Sequence, residues 1–421
     1  MKVCMITEQY PPGVGGLGTA TQRIARNLAK QGLDIHVIAP GSLSADVPIK
    51  PVWDEGVTVH YTYPALGGFF GDLVQLREIG DYIIRLHQDI DFDLFHGLFL
   101  VPSGFVGAIA AKMVERPFIA SIRGSDLERL SYSPLFLGSI RWVLEQASCV
   151  TSVNRELLEK AKKIATFPKG YVIPNVFDPI VFDSGNLRDL IQDQKWRFRI
   201  FGEKFLQAKS RGGPVIGTIG NMRHVKGFGY LLSAFQELLV SYPDASLLLV
   251  GDFVEPGRKK HWLQRIKTLG LKKRFFITGP VPHTHVKAWL EEIDIVVLPS
   301  LYEGSPNALI EAMGCGRPFV ATEVCGVVDI VTHLSEGFLV PPRDAEALTM
   351  GILSLLDDES LRRQLGNTAK EKAQNDLSPE KETEAWLEVY RNALEAQLHT
   401  STQQIVDNMP SEELITHVLK T

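Results

Sequence analysis

Apolar residues fall into two alternating patterns along the chain. Short runs rich in Val, Ile, Leu and Phe read as strands buried on both faces, and longer stretches with apolar positions three or four apart read as amphipathic helices. The runs are KVCMIT, IHVIAP, VTVHYT, LFHGLF, PFIASI, CVTSV and GYVIPN in the first half, and PVIGTIG, ASLLLVG, RFFITG, DIVVLPS, PFVATEV and GFLVPP in the second. Strands alternating with helices predict an α/β fold with parallel sheets. Between the halves, DSGNLRDLIQDQKWRFRIFGEKFLQAKSRGG is charged, holds no strand-like run and ends in glycines. A helix and linker are therefore expected over 176–213, between one domain at 1–175 and another at 214–375. The second half starts afresh with a strand, a glycine-containing turn and a helix. Two doubly wound, Rossmann-like domains facing each other would offer ligands the cleft between the carboxyl ends of their sheets. After residue 342 come two amphipathic helices, and residues 398–421 read as an accessory tail with one short helix.

Composition narrows the function classes. The chain has 421 residues, 45% of them hydrophobic, and its 44 Lys and Arg against 49 Asp and Glu leave a net charge of −5. Sizeable cores can form, and a dedicated nucleic-acid binder, which is normally basic, is disfavoured. Residues 112–169 hold ten basic and six acidic residues, as a solvated helix face or a surface near anionic lipid would. The cysteines at 4, 149, 315 and 325 form no C-x-x-C pair and fit no zinc spacing, so a reduced, cytoplasmic setting is expected. The N-terminal apolar run is too short for a signal peptide, and no run reaches the roughly 18 apolar residues of a membrane span. Peripheral attachment at the inner face of a membrane stays open.

The segment GVGGLG spells G-x-G-x-x-G from Gly13 through Gly15 to Gly18. A dinucleotide site needs its first glycine directly after the strand and an acidic residue closing the second strand. Here TEQYPP intervenes, Pro11 and Pro12 force an extended or turning chain, and IHVIAPG ends without a carboxylate. The motif matches as a string and not in context. What survives is a set of glycines before a helix over Thr19–Lys30, which lets backbone N–H groups approach an anion. A turn that merely joins strand to helix is the plainer alternative.

The strongest signal is LPSLYEGSPNALIEAMGCGRPFVAT. Glu303 and Glu311 flank an expected helix start, with Ser305 as cap and Pro306 in the first position. Backbone donors of Asn307, Ala308 and Leu309 suit a diphosphate or a developing anion, and the two carboxylates suit sugar hydroxyls. A capped helix with surface glutamates is the bland alternative. In VIGTIGNMRHVKGFG, Arg223 and Lys226 follow a strand and make a diphosphate clamp or two solvated cations. In PFIASIRGSDLERL, Arg123 and Asp126 end a strand, either facing a ligand or pinning the loop as an ion pair.

These motifs together resemble a retaining, nucleotide-sugar-dependent glycosyltransferase of family 4, with the GT-B fold, over residues 2 to about 395. PPGVGGLG is similar to that family's PP-x-x-GG loop. PNVFDPIVF, with Asn175, Asp178 and Phe182, is similar to its PNGVDxxxF segment. GNMRHVKG is similar to its GR…KG loop, and EGSPNALIEAMGCGRPFVAT to its E-x7-E block. LEVYRNAL resembles the last helix, which returns to the first domain and is placed here at 376–397. The resemblance implies that Gly15 and Gly16 approach the donor phosphate, that Lys226 and Arg223 neutralise the diphosphate, and that Glu303 holds sugar hydroxyls. It implies that Glu311 binds ribose, that the backbone of Asn307 to Leu309 with Ser305 contacts sugar and phosphate, and that turns such as TGPVPH, around Val281, hold the base.

The family carries Arg where this chain has Asn221, and often His where it has Arg123; Val176 replaces a usual Gly. Arg123, always charged, is no base but suits a donor phosphate or an anionic acceptor. The expected activity is transfer of a sugar from a nucleotide-diphosphate donor to an acceptor hydroxyl, in glycan, glycolipid or cell-surface polysaccharide synthesis. Neither cofactor nor metal is expected; UDP- and GDP-sugars are the foremost donors, and a sugar, lipid-linked sugar or small molecule the acceptor. The expected acceptor side comprises Asp126, His96 and first-domain loops such as YPALGGFFGDLVQL and SYSPLFLGSIRWVL, through which the N-terminal domain would touch a membrane. Two alternatives remain: a nucleotide-sugar epimerase using His96, and a regulatory subunit that binds the donor without turnover.

Overall fold

The computed structural model describes residues 1–12, 16–41, 51–62, 73–179, 187–193, 196–255 and 257–408. The chain forms two compact units, one of Met1–Pro174 with the chain from Glu382 onward, the other of Asn175–Lys381. The first holds β1 (Lys2–Thr7), β2 (Asp34–Pro40), β3 (Val52–Asp54), β4 (Val57–Thr62), β5 (Leu94–Leu98), β6 (Phe118–Ile122), β7 (Cys149–Ser152) and β8 (Gly170–Val172). They form one sheet in the order β3-β4-β2-β1-β5-β6-β7-β8, parallel except for β3 against β4. The second holds β9 (Val215–Ile219), β10 (Ser246–Val250), β11 (Phe275–Ile277), β12 (Ile295–Leu298), β13 (Phe319–Thr322) and β14 (Phe338–Val340). Their order is β11-β10-β9-β12-β13-β14, all parallel. Every strand-like run of the sequence is a strand; the three-residue β3 carries too little pattern to be read.

The order of each sheet reverses once. In the first unit β2 lies on one side of β1 and β5 on the other; in the second β10 and β12 flank β9 in the same way. Open α/β sheets bind ligands at such reversals, beyond the carboxyl ends of the strands. The central strands are fully buried, as in β5, β9 and β10, because helices cover both faces. Helix starts are fixed locally. Asn154 Oδ1 accepts from Leu157 N–H at 2.8 Å and Asp344 Oδ1 from Ala347 N–H at 2.8 Å.

Two expected boundaries move. Within 176–213, Leu187, Ile191 and Phe205 lie on helices Leu187–Asp193 and Trp196–Lys209 and join the core of the second unit. These two helices are therefore part of a packed layer, not a free linker. The last helix, Pro379–Asn408, runs past the boundary expected at 397, and residues 409–421 lie outside the described residues. Its Trp386, Val389, Tyr390 and Ala393, spaced three and four apart, pack with Val3, Met5, Ile24 and Leu28 of the first unit. At about 1.5–3 kcal/mol per fully buried large side chain, that seam outweighs the accompanying Arg23–Glu382 ion pair of 2.8 Å. No helix among the described residues is long and apolar enough to cross a membrane.

Candidate active site

In the second unit the order reversal lies between β9 and β12, and each strand delivers a charged side chain there. The chain leaves β9 through Asn221, which is exposed, and Arg223, also exposed, into a 3-10 turn, His224–Lys226. It leaves β12 through Ser300 to Glu303 and the helix Asn307–Gly314. Lys226 Nζ donates to Glu303 Oε1 at 2.7 Å and Oε2 at 2.9 Å, and Ser300 Oγ donates to Oε1 at 2.6 Å. Glu303 is only 6% exposed, so its charge needs this company. The register of the two loops rests on Gly227, whose φ is +64° and where a Cβ would stand 1.9 Å from Pro299 O. Leu301 N–H donates to Val225 O at 2.7 Å beside it.

The helix after Glu303 is not capped as expected. It begins at Asn307, with Pro306 in the cap position and no side-chain cap bond. Ser305 Oγ instead accepts from Asn175 N–H at 3.0 Å, while Asn175 Nδ2 donates to Asn307 Oδ1 at 2.7 Å. Pro306 takes φ −81°, ψ 78°, outside the helical region, so the helix starts one residue later than expected. Two of the three expected backbone donors are engaged within the turn, Asn307 N–H to Ser305 O at 3.0 Å and Leu309 N–H to Pro306 O at 2.9 Å. Ala308 is half-buried and Leu309 fully buried in the core.

Glu311, one turn into the helix, pairs with His283 Nε2 at 2.8 Å. His283 opens the 3-10 turn His283–His285 two residues after the half-buried Val281, and nothing in TGPVPH marks it as a partner of Glu311.

The first unit has its own cluster at the reversal between β1 and β5. Glu8, just past β1, accepts at Oε1 from Ser103 N–H at 3.0 Å and from Ser103 Oγ. Burial pushes its carboxyl above the usual range, and Asp126 pushes the same way against the two Ser103 donors. Phe99, just past β5, takes φ +134°, a conformation costing a non-glycine residue about 1–3 kcal/mol. Glu8 was missed in the sequence, although a carboxylate directly after the first strand marks the place. Gly16 opens the helix Gly16–Lys30 and is exposed; Gly15 lies outside the described residues.

Two expected acceptor-side residues are committed elsewhere. Asp126 is fully buried and accepts from the backbone N–H of Gly124 at 2.8 Å, of Arg123 at 3.1 Å and of Leu100 at 3.1 Å. It pins the turn after β6 through amides. His96, on β5, is 0% exposed, with Nδ1 2.8 Å from Tyr390 Oη and Nε2 2.7 Å from Ser121 Oγ. Burial, with Arg123 adding to it, pulls its pKa down to about 3. A neutral ring with both nitrogens engaged meets no acceptor and supplies no base for epimerisation. Burial, reinforced by Arg23 and opposed by Glu382 and Asp126, lowers Arg123 to about 10, which leaves it a cation at neutral pH. Among the described residues no cluster of three or more His, Cys, Asp or Glu is arranged to hold a metal.

Comparison with known proteins gives these sites a family. The model of glycosyl transferases group 1 matches residues 186–372, and that of the glycosyl transferase 4-like domain matches residues 15–175. The chain is 27% identical over 391 residues to N-acetyl-alpha-D-glucosaminyl L-malate synthase of Bacillus anthracis, covering 91% of this chain and 95% of the relative. It is 28% identical over 375 residues to the putative teichuronic acid biosynthesis glycosyltransferase TuaC of Bacillus subtilis, covering 84% and 88%. Its fold is similar to that of HepE from Anabaena, solved in complex with UDP-glucose, with a TM-score of 0.74, 19% identity, and 93% and 99% of the two chains covered. It is similar also to that of sucrose-phosphate synthase from Thermosynechococcus elongatus, with a TM-score of 0.74, 18% identity, and 94% and 100% covered. The chain belongs to the group 1, family 4 glycosyltransferases with the GT-B fold, and is itself a glycosyltransferase.

Proposed function

We propose that the protein transfers a glycosyl group, with retention of anomeric configuration, from a nucleoside-diphosphate sugar bound at the β9/β12 reversal to an acceptor hydroxyl. The observation that carries this reading is the Lys226–Glu303 pair at 2.7 Å. A bare carboxylate about 4 Å from a phosphate would cost about 4 kcal/mol at an effective dielectric of 20. Lys226 removes that repulsion and keeps a donor for the diphosphate, while Glu303 keeps lone pairs for sugar hydroxyls. Arg223 and the polar Asn221 supply the rest of the phosphate side, with the backbone at Ala308. Glu311, oriented by His283, takes the ribose hydroxyls, and the turn at Val281 takes the base. Uracil stands first as that base, since HepE was solved with UDP-glucose.

In the reaction the bond from the anomeric carbon to the diphosphate oxygen breaks, and the acceptor oxygen bonds to that carbon on the same face. The acceptor proton passes to the departing phosphate. The protein's part is positioning and stabilisation of the leaving anion. Arg123 favours an acceptor that carries negative charge, and a relative named for an L-malate product supports this reading. Glu8, at the β1/β5 reversal, is the first-unit group suited to an acceptor hydroxyl.

The test measures nucleoside diphosphate released from UDP-sugars and the anomeric configuration of the product by NMR. Lys226→Ala and Glu303→Ala are each expected to lose about 100-fold or more in rate with the fold intact, as for loss of one hydrogen-bonding group that stabilises the transition state. Full activity in either variant, or an inverted product, contradicts the proposal.

A further inference from the structure

The seventeen residues Arg258–Arg274 carry eight of the chain's 44 Lys and Arg and none of its 49 Asp and Glu. They form the helix Arg258–Thr268 and the 3-10 turn Leu271–Lys273, and lead into β11, the edge strand of the second sheet. Arg258 pairs with Glu255 at 3.3 Å, Lys259 with Asp252, and Arg274 with Asp244 at 3.8 Å. Lys260, Lys267, Lys272 and Lys273 are exposed, and none has an acidic partner among the described residues.

This arrangement does not serve the helix. Its first turn is Arg258, Lys259 and Lys260, three cations at the positive end of the dipole with no acidic residue in the turn itself; Glu255 and Asp252, just ahead of it, pair with the first two and leave Lys260 without such a partner. Like charges crowded along one short helix and the following turn add repulsion. Beside the helix runs a groove of about 740 Å³. It is lined by the exposed Lys259, Lys260, Lys267 and Lys272 and by the apolar Leu263, Ile266, Phe275 and Ile277. Leu263 is 40% exposed. A lining both cationic and apolar matches a ligand that is anionic at one end and hydrocarbon at the other. Lysine stems can lie along such a boundary with their ammonium groups among phosphates.

We propose that this face docks the second unit onto the surface of an anionic phospholipid membrane. Nothing in the proposal depends on the donor site, and it places membrane contact in the second unit, not in the first-domain loops.

Flotation of the full chain with vesicles tests it, and because the readout is binding, failure leaves the transferase reading intact. Vesicles of phosphatidylcholine with about 30% phosphatidylglycerol are expected to carry about tenfold more protein than pure phosphatidylcholine vesicles, and to release it in about 0.5 M salt. The variant K267E/K272E/K273E is expected to lose that preference while keeping donor turnover; K260A/K267A/K272A, which adds no new charge, is expected to weaken it in the same direction. Equal binding to both vesicle types overturns the proposal, as does undiminished binding by both variants. So does binding to a soluble polyanion such as heparin with none to the vesicles.

Discussion

At the scale of single residues, Gly227 matters as much as the charged groups it aligns. With φ +64° and Pro299 O standing 1.9 Å from the Cβ it lacks, it lets the loop after β9 lie against the loop after β12. Lys226 meets Glu303 because of that contact. Gly227→Ala is therefore expected to cost upward of about 1–3 kcal/mol and to depress turnover together with stability. Gly257→Ala is the control, since its φ of +72° is similar but nothing lies within 4 Å of the added methyl. It should lose only about 1 kcal/mol. Urea denaturation of both variants separates the steric cost from the conformational one, and equal losses would contradict the packing argument.

Among elements, the last helix and β5 share a buried polar chain, Tyr390 to His96 to Ser121 to Thr151, with links of 2.8, 2.7 and 2.6 Å. The chain costs little while His96 is neutral and much if it is charged. Burial lowers His96 to about 3, His60 to about 4, and His36 below its ordinary value. Each folded pKa lies below the unfolded value of about 6.5, so between the two the unfolded chain binds a proton that the folded chain refuses. Their stabilisation is whole above about pH 6.5 and falls as pH drops, by up to about 1.4 kcal/mol per pH unit per group. For His96 the window runs from about 6.5 down to about 3. Thermal unfolding from neutral pH to about pH 5 should show this decline, with a shallower slope in His96→Gln. A profile flat over that range in the natural chain would contradict the assignment.

For the molecule as a whole, the strands were legible because buried parallel strands are near-continuous apolar runs, and the restart of the pattern marked the second unit; the order of the strands within each sheet was not read. The E-x7-E block and the Lys226 loop were legible because their chemistry is local in sequence. What could not be read depends on distant partners: Ser305 turns to Asn175, 130 residues away, and His96 to Tyr390, 294 residues away. Periodicity also shows that a helix is amphipathic without showing what it packs on, which is why 176–213 read as a linker. Binding of a nucleotide sugar at the Lys226–Glu303 pair is measurable without knowledge of the acceptor. In thermal-shift measurements with UDP-, GDP-, ADP- and dTDP-sugars, one donor at about 100 times its Kd should add about 2.7 kcal/mol of stability. A raised Tm is expected for that donor, most of the rise being lost in Lys226→Ala; no shift with any nucleotide sugar, or a shift unchanged in both Lys226→Ala and Glu303→Ala, would contradict donor binding at this pair.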